Sequence, residues 1–124
     1  MLPFALNHMT APALRFDALA ALASRTGCIG VELRNDLGRP LFDGADPTDV
    51  RDVMAGAGLR LLALAEVKAF NDGSDRVLAE AEALADIAVA AGAEAVALIP
   101  RNDGERTSLD LVRDDLRAAL TKLR

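Results

Sequence analysis

The chain has 124 residues, of which 52% are hydrophobic and 27% charged, with a formal net charge of −5. That length and apolar content suit a single domain over residues 1–124 with its own core. A pI of about 4.8 argues against a nucleic-acid-binding face, which needs clustered Lys and Arg to replace phosphate counterions.

The single cysteine, Cys28, cannot form an internal disulfide, which suits a reducing compartment. No apolar run approaches the roughly 18 residues of a membrane span, and no membrane partner is expected. The first residues, Met1 to Asn7, lack the basic start of a secretion signal and are interrupted by Pro3. A cytoplasmic location is the resulting expectation.

In chain order, apolar strand-like runs alternate with helical stripes. The first run is Phe4–Met9. Phe16, Leu19, Ala20 and Ala23 then share one helical face. A second run, Ile29–Arg34, precedes a stripe of Val50, Val53, Met54 and Ala57, with Asp46-Pro47 as its start. A third run, Leu61–Val67, precedes Val77, Leu78, Ala81, Leu84, Ala85 and Ala88, with Ser74 or Asp75 as the cap. The fourth run, Ala95–Ile99, precedes Leu109, Val112, Leu116, Ala119 and Leu123, which follow Ser108.

Gly27, Gly58 and Gly92 stand just before the second, third and fourth strand runs, at spacings of 31 and 34 residues. A glycine in that place supplies the left-handed residue that ends a helix. Near-continuous apolar strands between helices predict a parallel sheet with right-handed crossovers. Two α/β architectures satisfy this order of elements. One is an open doubly wound sheet. The other is half of a (β/α)8 barrel, since a whole barrel takes about 250 residues. The half-barrel would leave its first and fourth strands as open edges.

In parallel α/β folds, sites form at the carboxyl ends of the strands. Polar residues gather there: Asn7, His8 and Thr10; Glu32, Arg34, Asn35 and Asp36; Glu66, Lys68, Asn71 and Asp72; Arg101, Asn102 and Asp103. His8, the only histidine, suits a hydrogen bond to a substrate hydroxyl or carbonyl, against a purely structural role. Glu32 is a candidate to bind a metal, accept a proton or orient a hydroxyl, against a salt bridge with Arg34. Glu66 and Lys68 form a second such pair, against simple mutual pairing. Arg101 suits a phosphate or carboxylate, against a solvated loop cation. Asn35, Asn71 and Asn102 also fit as turn formers with no ligand. No phosphate-loop or dinucleotide glycine fingerprint is present, nor any zinc-spaced Cys/His set.

Four segments together carry a family resemblance: Phe4-Ala5-Leu6-Asn7-His8-Met9-Thr10-Ala11-Pro12, Val31-Glu32-Leu33-Arg34-Asn35-Asp36, Phe42-Asp43-Gly44 and Phe70-Asn71-Asp72. In order along the chain, they resemble the opening of xylose isomerase-like TIM-barrel proteins, nearest the sugar-phosphate isomerase/epimerase and inosose isomerase-like branch. The resemblance implies four βα units forming an N-terminal half-barrel. It implies metal-dependent isomerisation or epimerisation of a keto sugar or keto polyol, through an enediolate-like intermediate.

The divalent metal (Mn, Mg, Co or Zn) implied for the complete barrel is bound mainly from strands five to eight. None is expected to be held by this half alone. The positions carried over as substrate contacts or site supports are His8, Glu32, Glu66, Lys68 and Arg101. The catalytic residues stay unassigned. A half-barrel of this kind is expected to be inactive by itself, and three origins fit it. It is a fragment of a longer enzyme completed by a C-terminal half-barrel, a natural truncated product, or one of two copies that pair their edges. A cut at a unit boundary favours the first. The competing class is a non-catalytic α/β binding or self-assembly module.

Overall fold

The computed structural model describes residues 1–101 and 109–122. Four strands, β1 (Ala5–Asn7), β2 (Gly30–Arg34), β3 (Arg60–Lys68) and β4 (Val96–Ile99), form one parallel sheet in the order β1-β2-β3-β4. They alternate with helices α1 (Phe16–Arg25), α2 (Pro47–Gly56), α3 (Asp75–Ala91) and α4 (Leu109–Lys122).

The three glycines act as the sequence predicts. Gly27, Gly58 and Gly92 have φ of 74°, 68° and 71°. After each, the next amide reaches back across the helix end: Cys28 to Ala23, Leu59 to Met54 and Ala93 to Ala88, at 2.9, 2.9 and 2.8 Å. Each glycine amide also donates to a carbonyl three residues earlier. This is the Schellman ending, which satisfies orphan carbonyls and turns the chain sharply. The chain joins the sheet at once, with Ile29 donating to Phe4, Arg60 to Ile29 and Glu94 to Leu61. The helix starts are also satisfied: the side chain of Asp46 accepts from the Thr48 amide, and that of Ser74 from the Val77 amide.

Cross-strand register divides the sheet into two faces. The rows Leu6–Val31–Leu61, Leu33–Leu64–Val96 and Val67–Leu98 point one way. All of them join one hydrophobic cluster with Phe16, Leu19, Ala20 and Ala23 of α1, Val50 and Met54 of α2, and Val77, Ala81, Leu84 and Ala88 of α3. Leu116 of α4 packs against the same cluster. The helices therefore cover one face. The alternate rows, Ala5–Gly30–Arg60, Asn7–Glu32–Ala63, Arg34–Ala65–Ala97 and Lys68–Ile99, point the other way. This is the arrangement of a half-barrel, with helices outside, and not of a doubly wound sheet.

Several boundaries differ from the sequence reading. The first strand ends at Asn7, and His8–Thr10 forms a 3-10 turn. The cause is local: the Asn7 side-chain oxygen accepts the Met9 amide at 2.8 Å, which stops the strand. Ala57 lies just past the end of α2, as its C-cap. Strand β3 carries two irregularities, one extra residue at Leu62 and one at Glu66. Asn102, Asp103, Ser108 and Leu123 lie outside the described residues.

Gly30 marks a point where β2 and β3 crowd each other. A Cβ there would lie 2.4 Å from the Arg60 carbonyl oxygen and 3.0 Å from Cγ of Leu62. The nearer obstacle is backbone, which cannot rotate aside. Gly30→Ala is expected to lower stability by about 1–3 kcal/mol, the usual cost of overpacking. Urea denaturation checks it, and an unchanged midpoint would contradict the crowding.

Candidate functional site at the carboxyl rim

Glu32 and Arg34 alternate along β2 and so share the face that the helices leave open. The extra residue in β3 places Glu66 beside them. Arg34 is the hub. Its guanidinium donates twice to Asp36, at 2.8 and 2.7 Å. It also lies 3.3 Å from Glu66 Oε2 and 3.8 Å from Glu32 Oε1. Lys68 Nζ is 3.4 Å from the other oxygen of Glu66. Glu32 Oε1 accepts from the Asn7 side-chain amide at 2.6 Å, which brings β1 into the cluster.

The cluster is partly withdrawn from solvent. The side chains of Glu66 and Arg34 are 11% and 16% exposed, whereas Lys68 is 69% exposed and free to reach outward. The Arg34 guanidinium holds the Asp36 carboxyl below its ordinary pKa, chiefly through the hydrogen bond, with burial opposing. Arg34 is itself pushed above its ordinary value by the same hydrogen bond, again against burial, with the charges of Asp36, Glu66 and Glu32 adding.

Asn35 fixes the β3 irregularity. Its side-chain amide donates to the Glu66 carbonyl at 3.0 Å and accepts from the Glu66 amide at 2.8 Å. Its own backbone amide donates to Ala65 at 2.7 Å. Asn35 is thus more than a turn former: both backbone polar groups of Glu66 are engaged, and the Glu66 side chain is aimed at Arg34 and Lys68. Asn71 likewise accepts the Arg101 amide at 2.7 Å and ties the end of β4 to the loop after β3.

The five residues singled out from sequence do not form one group. Glu32 and Glu66 come together on Arg34, and Lys68 joins them through Glu66. Arg101 lies at the exposed end of β4. His8 is elsewhere, only 4% exposed. Its Nε2 lies 2.8 Å from the Leu14 carbonyl oxygen and 3.3 Å from the Arg39 guanidinium. Nδ1 is buried without a hydrogen-bond partner. Arg39 closes over it, donating to the Pro12 and Leu14 carbonyls at 2.6 and 2.5 Å and pairing with Asp43 at 2.6 Å.

Asp43 in turn accepts the Phe16 amide at 2.8 Å. It therefore serves the start of α1, whose adjacent cap position, Arg15, contributes no side-chain hydrogen bond. Sequence reasoning gave no role to Arg39 or to the Asp43 carboxylate. Their contacts cross 25 to 31 residues, with the Arg39–Asp43 spacing of four as the one local signal.

The carboxylates do not form a metal shell. Among the described residues no group of three or more His, Cys, Asp or Glu side chains is placed to hold a metal ion. Glu32, Asp36 and Glu66 instead surround a guanidinium, which already fills the place of a cation.

No protein-family model matches the chain, and no curated protein matches it. Solved structures do. The sheet order, the one-sided helices and the rim define a half TIM barrel. More particularly, the chain has the fold of xylose isomerase-like TIM-barrel proteins. A xylose isomerase domain-containing protein from Salmonella typhimurium LT2 is similar with 27% identity and a TM-score of 0.87, over 97% of this chain and 46% of that one. A xylose isomerase-like TIM barrel/4-hydroxyphenylpyruvate dioxygenase fusion protein is similar with 24% identity and a TM-score of 0.69, over 93% of this chain and 19% of that one. A protein from Sinorhizobium meliloti 1021 has 16% identity and a TM-score of 0.68, over 97% and 44%. The last two share the fold alone. The chain spans less than half the length of these structures.

The Asp36–Arg34 bond makes a pH prediction. A carboxyl whose pKa is depressed by folding adds stability above its unfolded value, about 3.9, and loses it as pH falls through the folded value. The native chain should therefore lose stability steeply below about pH 4. Asp36→Asn should be less stable at neutral pH and show a shallower acid loss. Urea midpoints measured across pH 2–7 test this, and parallel profiles for the two proteins would refute it.

Proposed function

We propose that this chain supplies the substrate-contacting rim of a sugar or polyol isomerase/epimerase acting on a keto sugar or inosose-type substrate. The observation that carries the reading is the convergence of Glu32 and Glu66 on Arg34, with Lys68 joined through Glu66, on the open face at the carboxyl ends of β2 and β3. Carboxylates accept hydrogen bonds from sugar hydroxyls, and an exposed ammonium donates to a carbonyl or hydroxyl oxygen. Arg34, engaged by three carboxylates, fixes their spacing. Arg101, at the end of β4, adds a second cation for a carbonyl or an anionic substituent. His8 supports the site by holding the loop between β1 and α1.

The likeness to a xylose isomerase domain-containing protein supports the substrate class. The acidic pI favours a small neutral polyol over nucleic acid. Among the described residues no helix is long and apolar enough to cross a membrane. With a lone cysteine, the cytoplasm is the proposed compartment. The divalent ion of a complete barrel would be held by strands beyond these four. By this reading the four units bind and orient substrate, and the isolated chain does not turn it over.

A second reading, a non-catalytic binding or assembly module, draws on the same cluster. Its charges already satisfy one another, as a purely structural network requires.

Amide chemical shifts of the labelled chain, titrated with keto sugars and inososes, separate the two. The rim reading expects shifts at Asn7, Glu32, Glu66 and Lys68, lost in Glu66→Gln with an unchanged circular dichroism spectrum. No shift at the rim, or shifts only elsewhere, would sink it. In a barrel completed to eight strands, Glu32→Gln should lower turnover roughly tenfold or more, the worth of a hydrogen bond to a charged group, while Tm changes little.

A further inference from the structure

Two loops of the carboxyl rim are tied together by one side chain. Arg39, in the loop between β2 and α2, donates through Nη1 to the Pro12 carbonyl and through Nη2 to the Leu14 carbonyl, both in the loop between β1 and α1. Its Nε pairs with Asp43 at 2.6 Å. The Asp43 side chain is buried, and its other oxygen accepts the Phe16 amide at the start of α1. A guanidinium suits this place, since its planar fork carries donors on three sides. The carboxylate reaches it through unusual backbone. Phe42 and Asp43 have φ of 58° and 55°, a left-handed conformation that non-glycine residues rarely adopt. Burial of the Phe42 ring, edge-on to Phe16 with centroids 6.5 Å apart, holds that conformation.

The clamp leads to the rim through a short run of local bonds. The Leu14 amide donates to Ala11, and the Ala11 amide to His8. His8 is buried, and its Nε2 lies 2.8 Å from the same Leu14 carbonyl that Arg39 holds. Its Nδ1 has no hydrogen-bond partner, so the ring is tied through Nε2 alone. The turn His8–Thr10 begins at Asn7, whose side chain has two fixed ends. The Met9 amide can only donate, so Oδ1 faces it at 2.8 Å. Nδ2 is thereby aimed at Glu32 Oε1, at 2.6 Å. All of these contacts lie between residues 7 and 43, within the first two βα units.

We infer that Arg39 is a positioning residue for Glu32. By clamping the two loops over His8, it keeps the turn after β1 in the pose from which Asn7 reaches that carboxylate. The inference stands on these contacts and holds whether or not the rim binds a sugar.

Nuclear magnetic resonance on the labelled chain, without substrate, tests this. Arg39→Met keeps an apolar stem and removes every donor. It is expected to speed water exchange of the Asn7 side-chain amide by about tenfold or more, the worth of one hydrogen bond to a charged group, and to move the Glu32 carboxyl carbon signal. The carboxyl signal of Glu94, which pairs with Arg60 beside the opposite strand ends, should stay in place. Arg39→Lys, with a single ammonium, should recover part of both changes. Ser74→Ala removes the cap of α3 without touching these loops, so it should lower stability and leave Asn7 and Glu32 unchanged. If Arg39→Met fails to fold, hydrogen exchange of the native chain decides. The Met9, Ala11, Leu14 and Phe16 amides should then open as one unit, with protection agreeing within about threefold. Unmoved Asn7 and Glu32 signals in Arg39→Met, equal changes in Ser74→Ala, or independent opening of those amides would overturn the proposal.

Discussion

The structure depends on one constraint: a four-stranded parallel sheet whose apolar rows all pack on one side, buried at the centre and half-buried at the edges. Leu6, Val31, Leu61, Leu33, Leu64, Val96, Val67 and Leu98 share the helix-facing surface. Fully burying a Val or Leu side chain is worth about 1.5–3 kcal/mol, whereas an exposed ion pair is worth about 0–1. The covered face therefore supplies the cohesion. The opposite face is released from that duty, so its rows can carry Asn7, Glu32, Arg34 and Lys68 without undoing the fold. One-sided cover is thus what separates the stabilising surface from the chemical one.

Within the chemical surface, Arg34 sets the geometry. A guanidinium has donors in a fixed planar fork, and two of them are committed to Asp36. The remaining charge draws Glu66 and Glu32. Glu32 shares the face of Arg34 by ordinary strand alternation, whereas Glu66 depends on an irregular ladder. The extra residue in β3 carries Glu66 there, and Asn35 holds that residue by both of its backbone polar groups. A backbone irregularity that would otherwise leave amides unpaired is thereby satisfied.

These layers differ in how far the sequence discloses them. The helices and their endings are local, so Gly27, Gly58, Gly92, Asp46 and Ser74 can be read directly. The strands are also legible, because continuous apolar runs between helices have few other solutions. Where β1 stops is not, since a single side-chain bond from Asn7 turns His8–Thr10 into a helical turn. The irregularities at Leu62 and Glu66 are invisible as well, because apolar runs look alike with or without an extra residue. Glu32, Glu66 and Lys68 were found by their place at strand ends, a rule of the fold class. The burial of His8 under Arg39, with Asp43 serving the start of α1, depends on contacts between distant loops, and only the Arg39–Asp43 spacing of four hints at it.

The filled centre of the rim bears on what this face presents to solvent. Asp36 commits both carboxylate oxygens to Arg34, Glu66 divides its own between Arg34 and Lys68, and Glu32 gives one to the Asn7 amide. The acidic side chains are thereby held by neighbours on their own face, with a permanently charged guanidinium at the centre. Each acceptor is fixed in place by a partner whose own position is set by the sheet register or by the Asn35 bonds, so the charge pattern of the rim is a consequence of the strand pairing that the covered face stabilises.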